Sequence, residues 1–196
     1  MSEYAIALKE PGLSGSSAKT WHELESSVLA ALETYSNVHR GSGHKSLVST
    51  HLYEQARDIV LEHLGLDQER YVVIFSPPRR AELLSARLRP SSYQILSSQD
   101  IGLPLGVRAV AVERQALPGG APLQPGGGTA RLVFPGRVIW AKAPDKFEAG
   151  TPVIVNVIAF ARALRLIRDF GKDVFFARRQ RVTRCWHASS RRHSVP

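Results

Sequence analysis

Three stretches of the chain carry apolar residues at helical spacing. The first should span residues 20–35, because Thr20 and Glu23 form a capping box at its start. A second helix is predicted over residues 47–64. The third is a long helix that opens at Pro152. Its apolar stripe consists of Ile154, Val157, Ile158, Ala161, Leu164 and Ile167.

Shorter runs of β-forming residues predict strands between these helices. Residues 71–75 form a continuous apolar run that is typical of a buried strand. Pro77 and Pro78 should stop this strand and open a short helix. Further strands are predicted at residues 93–96 and 107–112, and residues 131–134 and 138–141 should form a hairpin around a Pro-Gly turn. The mixture of helices and strands indicates an α/β fold.

Segments of different composition divide the chain into three parts. Residues 1–19 are rich in Ser and Gly and are predicted to be a flexible lead-in. Residues 20–172 hold enough apolar material for one core and should form a single domain. A basic tail, expected to have little structure, is predicted for residues 173–196.

The positive charge is concentrated in that tail. The chain has a net charge of +9, and residues 174–196 contain six arginines and no acid, which leaves +3 for the remainder. The tail could bind nucleic acid or lipid. The interpretation we favour is non-native sequence after a reading-frame change, because composition alters at a single point. Nucleic acid is therefore an unexpected partner except through this arginine-rich segment.

Several classes of protein are excluded by simple counts. The single cysteine, Cys185, cannot form an intramolecular disulfide or a four-cysteine zinc site. No histidine and acid spacing indicates a metal site. Apolar runs are too short to cross a membrane and the first residues lack a secretory pattern. A soluble cytoplasmic protein without a membrane partner is expected.

Several blocks of sequence, taken in order, resemble a known family. Residues 35–42 read Tyr-Ser-Asn-Val-His-Arg-Gly-Ser, and residues 53–57 read Tyr-Glu-Gln-Ala-Arg. Residues 126–129 read Gly-Gly-Gly-Thr, and residues 147–152 read Phe-Glu-Ala-Gly-Thr-Pro. In this order the blocks resemble the class V aminotransferases, with the cysteine desulfurase-like proteins as the nearest branch. The resemblance implies the fold of pyridoxal-phosphate transferases.

The block at residues 97–107 departs from that family at its central position. The family has Ser-x-His-Lys followed by a Gly-Pro-x-Gly turn, and the spacing from Ser97 to Pro104 and Gly106 agrees. Gln99 stands at the histidine position and Asp100 at the lysine position. By resemblance the lysine forms the imine with pyridoxal phosphate and later shuttles the proton, and a carboxylate can neither make that covalent link nor act as the same amine base. No catalytic residue is therefore predicted.

Two further departures concern the phosphate site and the length of the domain. Where the family has a Gly-Thr-Thr turn, this chain has Pro77 and Pro78, which remove two N–H donors. A long section that follows this turn in the family is absent, as is the carboxy-terminal small domain. The remaining strands are neighbours in the family's sheet. The resemblance thus implies a truncated large domain, with a small mixed sheet of about three strands plus a hairpin, flanked by helices.

Four residues fall on family positions near the substrate or cofactor. Asn37, His39 and Arg40 match the substrate loop, and without cofactor we expect this loop to be fixed by hydrogen bonds. Thr151 would reach a cofactor phosphate by resemblance, and the alternative that we favour is an N-cap for the last helix.

The favoured functional hypothesis is a degenerate domain with a structural, dimerising or regulatory role, without catalysis or cofactor of its own. Its partner would be a second copy or a catalytically intact class V aminotransferase-like domain. Two alternatives stay open. One is an active pyridoxal-phosphate enzyme completed by a partner subunit or downstream domain, and the other is nucleic-acid binding through the tail.

Overall fold

The computed structural model describes residues 15–38 and 43–176. The helices are α1 (Gly15–Glu33), α2 (His44–Leu64), α3 (Pro78–Ser85) and α4 (Ile154–Phe170). The strands are β1 (Tyr71–Ser76), β2 (Tyr93–Ser97), β3 (Arg108–Glu113), β4 (Ala130–Phe134) and β5 (Arg137–Trp140). The predicted α/β class is confirmed, and α2, α3, α4 and all five strands lie within a few residues of their predicted positions.

The main sheet has three strands in the order β1-β3-β2. The central strand β3 runs antiparallel to both neighbours, with Val73 opposite Ala111 and Ile95 opposite Val110. The sheet has the three strands that the resemblance implied, but because both neighbouring pairs are antiparallel it is an antiparallel sheet and not the predicted mixed one. Strands β4 and β5 form a separate two-stranded hairpin, which confirms the predicted Pro-Gly turn.

Helices or loops cover both faces of β1 and β3, and this explains why these two strands read as continuous apolar runs. On one face, Val73 and Ala111 join the large core that α2 and α4 complete. On the other, Ile74 and Val110 pack against α3 and against Phe147. Because successive side chains of a strand point to opposite faces, a strand buried on both faces needs apolar residues at every position.

Helix α4 is the central element of the larger core. It packs against α1 and α2, and nine of its side chains are buried, among them Phe160 and Leu164 with almost no exposed surface. The predicted stripe of this helix is confirmed. Burial of such a side chain stabilises a fold by about 1.5–3 kcal/mol, so this helix contributes strongly to stability.

Helix α1 begins earlier than its capping pattern indicated. The helix starts at Gly15, so the N-cap prediction for Thr20 is wrong, and Thr20 is instead fully buried within the helix. A contact distant in sequence favours this extension, because the buried Ser17 hydroxyl donates to the Val174 carbonyl at 3.1 Å. Residues 15–19 of the predicted lead-in are thus helical, and residues 1–14 lie outside the described part of the chain.

Three apolar residues face solvent, although their spacing in the helices predicted at residues 20–35 and 47–64 places them on the apolar stripes of those helices. Leu32 and Tyr35 near the end of α1 are about half exposed, as is Leu47 in α2. The prediction that they belong to the core is wrong. Helical spacing marks a face, and the neighbouring elements decide how far along the helix that face is covered.

Packing at the carboxy-terminal end runs past residue 173, where the tail was predicted to begin. Val174 and Phe175 are buried, and the Phe175 ring meets the Trp21 ring edge-on at 5.2 Å between centroids. Residues 177–196, with Cys185 and the arginines, lie outside the described residues. Among the described helices, none is long and apolar enough to cross a membrane.

Candidate functional site

The turn after β2 holds the residues at the family's histidine and lysine positions. Ser98–Ile101 form a short 3-10 helix, and the Asp100 carboxylate accepts the Ser97 backbone N–H at 2.8 Å. The Ser97 hydroxyl in turn accepts the Gln99 N–H at 3.3 Å. Gln99 and Asp100 are both exposed. The carboxylate at the lysine position is therefore half of a reciprocal cap, which holds the turn against the end of the strand.

Gly102 ends this turn and lies against the carboxy-terminal segment. Its φ of 83° is in the left-handed region, and a β-carbon there would stand 3.2 Å from the Phe175 carbonyl carbon. Both the backbone angle and the close approach require glycine. The family-like Gly-Leu-Pro-Leu-Gly turn therefore also serves as the surface that receives Phe175.

The carboxyl end of β1 is where the family holds the cofactor phosphate. Here Pro77 is the N-cap of α3, and Pro78 occupies its first turn. The Arg80 guanidinium nearby is hydrogen-bonded to other protein groups, because it donates to the Gln124 side chain at 3.0 Å and to the Ala149 carbonyl at 2.8 Å. The cavity that Arg80 and Gln124 line with Ser76 has a volume of about 10 Å³, which is room for about one water molecule.

A buried ion pair joins α2 to the loop before α4. Arg57 and Glu148 have side chains that are only 7% and 8% exposed, and their charged groups meet in two parallel hydrogen bonds of 2.7 and 3.0 Å. The Tyr53 hydroxyl donates to the same carboxylate at 3.0 Å. Arg57 also contacts Glu54, through its Nε at 3.1 Å. The charged residues of two family-like blocks therefore meet in one network.

This ion pair also completes the outer edge of β1. The Phe75 backbone N–H donates to Glu148 at 2.6 Å, and Arg57 donates to the Val73 carbonyl at 2.7 Å. Both backbone groups point away from β3, on the side where the described fold has no further strand. Unpaired backbone groups in a buried position are costly. The two side chains thus take the place of a neighbouring strand.

The ionisation of the network follows from its burial. Burial opposes the charge on Arg57, but the Glu148 carboxylate outweighs this effect, so the pKa of Arg57 lies above its ordinary value. Burial raises the pKa of Tyr53 strongly, and the nearby negative charge of Glu148 raises it further. Arg57 therefore stays charged and Tyr53 stays neutral at every ordinary pH, which suits a fixed structural pair and gives neither residue a proton to exchange.

The glycine triplet docks on the loop that contains Glu148. The Thr129 hydroxyl makes two hydrogen bonds to the backbone of the first glycine. It accepts the Gly126 N–H at 3.0 Å and donates to the Gly126 carbonyl at 2.8 Å. The Gly150 N–H donates to the Gly127 carbonyl at 2.9 Å. The structure therefore brings together the two blocks that lie at residues 126–129 and 147–152.

The structure does not bring the remaining predicted site residues into this network. Asn37 is exposed, and its backbone carbonyl accepts the Ser46 hydroxyl at 2.7 Å, which fixes this end of the loop. His39 and Arg40 lie outside the described residues. Thr151 is exposed, and the prediction that it caps α4 is wrong because Val153 occupies the N-cap position. Its assignment to a cofactor phosphate stays a prediction.

Sequence reasoning missed the Arg57–Glu148 pair, although a signal was present. Arg57 falls within the apolar stripe of α2, next to the fully buried Ala56 and one turn before Val60. A charged residue inside a buried stripe needs a partner of opposite charge. The candidate acid was available in the Phe-Glu-Ala-Gly-Thr-Pro block, but helical spacing cannot identify a partner so distant in sequence.

Comparison with known sequences identifies relatives of the chain. The family described as Aminotransferase class-V matches residues 92–189, which is half of the chain. A probable cysteine desulfurase of Staphylococcus aureus (strain Mu50) is 34% identical over 80 residues, 41% of this chain and 19% of that protein. One from Halobacterium salinarum is 35% identical over 93 residues, 47% of this chain and 21% of that protein. The matches thus span about a fifth of the relatives' length.

Solved structures support the same fold. A cysteine desulfurase from Thermococcus onnurineus NA1, in its apo form, superposes with a TM-score of 0.56 at 17% identity, over 78% of this chain and 65% of that one. The cysteine desulfurase CsdA from Escherichia coli gives a TM-score of 0.51 at 15% identity, over 76% and 66%. With the glycine triplet, the Glu148 block and the turn after β2 in the family's order, the chain belongs to the class V aminotransferase family.

Proposed function

We propose that this chain is a class V aminotransferase-like domain that performs no pyridoxal-phosphate chemistry of its own. Its role would be structural or regulatory, through association with a second copy or with a catalytically intact relative. The observation that carries this proposal is the position of Asp100. Its carboxylate stands where the family has the imine-forming lysine, and it is already used to cap the turn through the Ser97 N–H at 2.8 Å.

The residues present do not fit the cofactor. Pyridoxal phosphate acts as an electron sink once it is joined to an amine. An ionised carboxylate offers only hydrogen-bond acceptors, so Asp100 cannot form that bond and would repel a phosphate group. At the end of β1, Pro77 and Pro78 lack the N–H donors that hold phosphate at a helix start. The cavity of about 10 Å³ beside them is far too small for the cofactor.

A spectroscopic titration tests the proposal. Purified full-length protein would be incubated with pyridoxal phosphate, reduced with borohydride and digested, and modified lysines would be located by mass spectrometry. We expect no saturable imine absorbance and only scattered, substoichiometric labelling of exposed lysines. An intact cysteine desulfurase treated in parallel provides the positive control.

One result would favour the competing view of an active enzyme. If the chain, alone or mixed with an intact relative, gains stoichiometric cofactor on one defined lysine and converts an amino acid substrate, the proposal of a non-catalytic domain is wrong. The site would then have recruited its amine from another position or another subunit.

A further inference from the structure

The two outer edges of the main sheet are finished in different ways. At the β1 edge, Arg57 and Glu148 bind the outward backbone groups of Val73 and Phe75. The opposite edge is β2, which pairs only with β3. Among the described residues no comparable pair of side chains covers this second edge. Within residues 15–38 and 43–176, the sheet is therefore covered at one edge and uncovered at the other.

The register identifies the groups that the open edge presents. The Ser98 N–H donates to the Val107 carbonyl at 2.9 Å, so the backbone groups of alternate residues before it, Leu96 and Gln94, also face β3. Tyr93, Ile95 and Ser97 must then direct their N–H and C=O groups outward. The Ser97 N–H is held by Asp100. For Tyr93 and Ile95, the described part of the chain supplies no hydrogen-bond partner.

The open edge lacks the devices that usually prevent strand addition. Proteins protect an edge with charged side chains, proline or a bulge. Residues 91–99 contain no charged residue and no proline, and the register of β2 with β3 has no irregularity. Ile95, in the middle of the strand, leaves 37% of its surface exposed. This edge therefore offers a neutral, regular and partly apolar template.

We propose that this edge pairs with β2 of a second copy, antiparallel, about a two-fold axis at Ile95. The inference rests on the proposed function, because it names the surface through which the domain associates. Each Ile95 would donate to and accept from its counterpart, and each Tyr93 N–H would reach the Ser97 carbonyl of the other copy. A second copy is the occupant that fits, since two uncharged strands meet without repulsion, whereas a charged strand would find no ion partner here.

Asp100 sets the length of this pairing. Because its carboxylate holds the Ser97 N–H, that donor is not available to the second copy, and the ladder stops at the turn. Two strands of five residues bury less than a standard interface of about 1,600 Å². The dimer should therefore be weak and depend on protein concentration.

Two variants of Ile95 test the pairing in the full chain by sedimentation velocity over a wide concentration range. Ile95→Pro removes the apolar side chain and one backbone donor, the outward N–H, so the hydrogen bonds to β3 survive, and the dimer should weaken at least about tenfold. Ile95→Lys keeps the backbone but places two like charges at the axis, so its defect should shrink in high salt. Val133→Lys is the matched control, because Val133 is an apolar strand residue, 72% exposed, on the separate hairpin. Circular dichroism would establish that each variant is folded.

Hydrogen exchange adds a readout that needs no variant. The Ile95 amide should become protected as protein concentration rises. A wild-type chain that stays monomeric, or a dimer that Val133→Lys disrupts and both Ile95 variants leave intact, would overturn the proposal. Protection of the Ile95 amide at every concentration would also overturn it, because the chain's own terminal residues would then cover the edge. The cofactor titration is independent, so a failed pairing and a failed assignment of the domain are distinguished.

Discussion

The side chains of Arg57 and Glu148 form a buried ion pair that joins α2, β1 and the loop before α4. Glu148→Gln preserves shape but removes the buried counter-charge of the Arg57 guanidinium, which keeps only the partly exposed Glu54. Removal of one partner of a buried pair destabilises a protein by about 3–5 kcal/mol. We therefore expect urea unfolding of Glu148→Gln to show a loss of this size.

An exposed ion pair provides the control for this substitution. Glu62 meets Arg168 at 2.7 Å, but both side chains are more than half exposed. Exposed pairs contribute little to stability, because water and salt screen them. Glu62→Gln should leave the unfolding midpoint unchanged. Equal effects of the two substitutions would mean that the Glu148 network does not stabilise the fold.

For single residues, the sequence predicted which residue occupies each family position but not what its side chain contacts. The alignment of Asp100 with the lysine position followed from the resemblance of residues 97–107 to the family's motif, yet its capping of Ser97 is visible only in three dimensions. The cap predicted for Thr151 shows the opposite problem. A Thr before a helix is a common cap, but here the helix starts at Ile154, too far along the chain for that role.

Among the elements, the turn after β2 has the strictest steric requirement. In Gly102→Ala, the residue would have to adopt a φ of 83°, and its new β-carbon would stand 3.2 Å from the Phe175 backbone. We therefore expect the free energy of unfolding to fall by about 2–3 kcal/mol. Gly106→Ala has a similar φ of 67° but open space around it, and should lose only about 1 kcal/mol. Thermal unfolding of both variants would separate backbone strain from crowding. Similar losses would show that the Phe175 contact is unimportant.

Element positions were predictable where the pattern was local. Apolar runs located the strands, and the proline pair located the start of α3, because both signals act within a few residues. The start of α1 was missed since its first turn is stabilised by Ser17 contacting Val174, at the other end of the domain. Such a contact leaves no trace in helical spacing.

For the molecule as a whole, the carboxy-terminal boundary decides whether the core is complete. A chain ending at residue 176 keeps Phe175 against Trp21, whereas one ending at residue 173 loses it. Deletion of a fully buried Phe ring typically costs about 3–5 kcal/mol, a large share of the stability of a small domain. We expect the longer chain to unfold cooperatively in calorimetry and the shorter one to melt at a much lower temperature. Identical melting would show that residues 174–176 are not part of the folded unit.

The topology of the whole molecule could be predicted only through the family resemblance. Composition and periodicity indicated helices and strands, but the order β1-β3-β2 came from knowing which family strands are neighbours. The open edge at β2 is consistent with the absence of the long family section that the sequence analysis described. The backbone groups of Tyr93 and Ile95 that point outward at this edge can be identified only from the register of β2 with β3. No pattern in a five-residue strand determines that register.

The ion pair between Arg57 and Glu148 affects how function is assigned to genome sequences that match this family. Both residues come from blocks that resemble hallmarks of the enzymes, and here their side chains secure a helix and a loop to a strand. Selection for a stable scaffold alone could therefore preserve these hallmarks. Under the function proposed above, a genome survey that counts these two residues as proof of turnover would include non-catalytic domains, and the residue aligned with the lysine position is the better criterion.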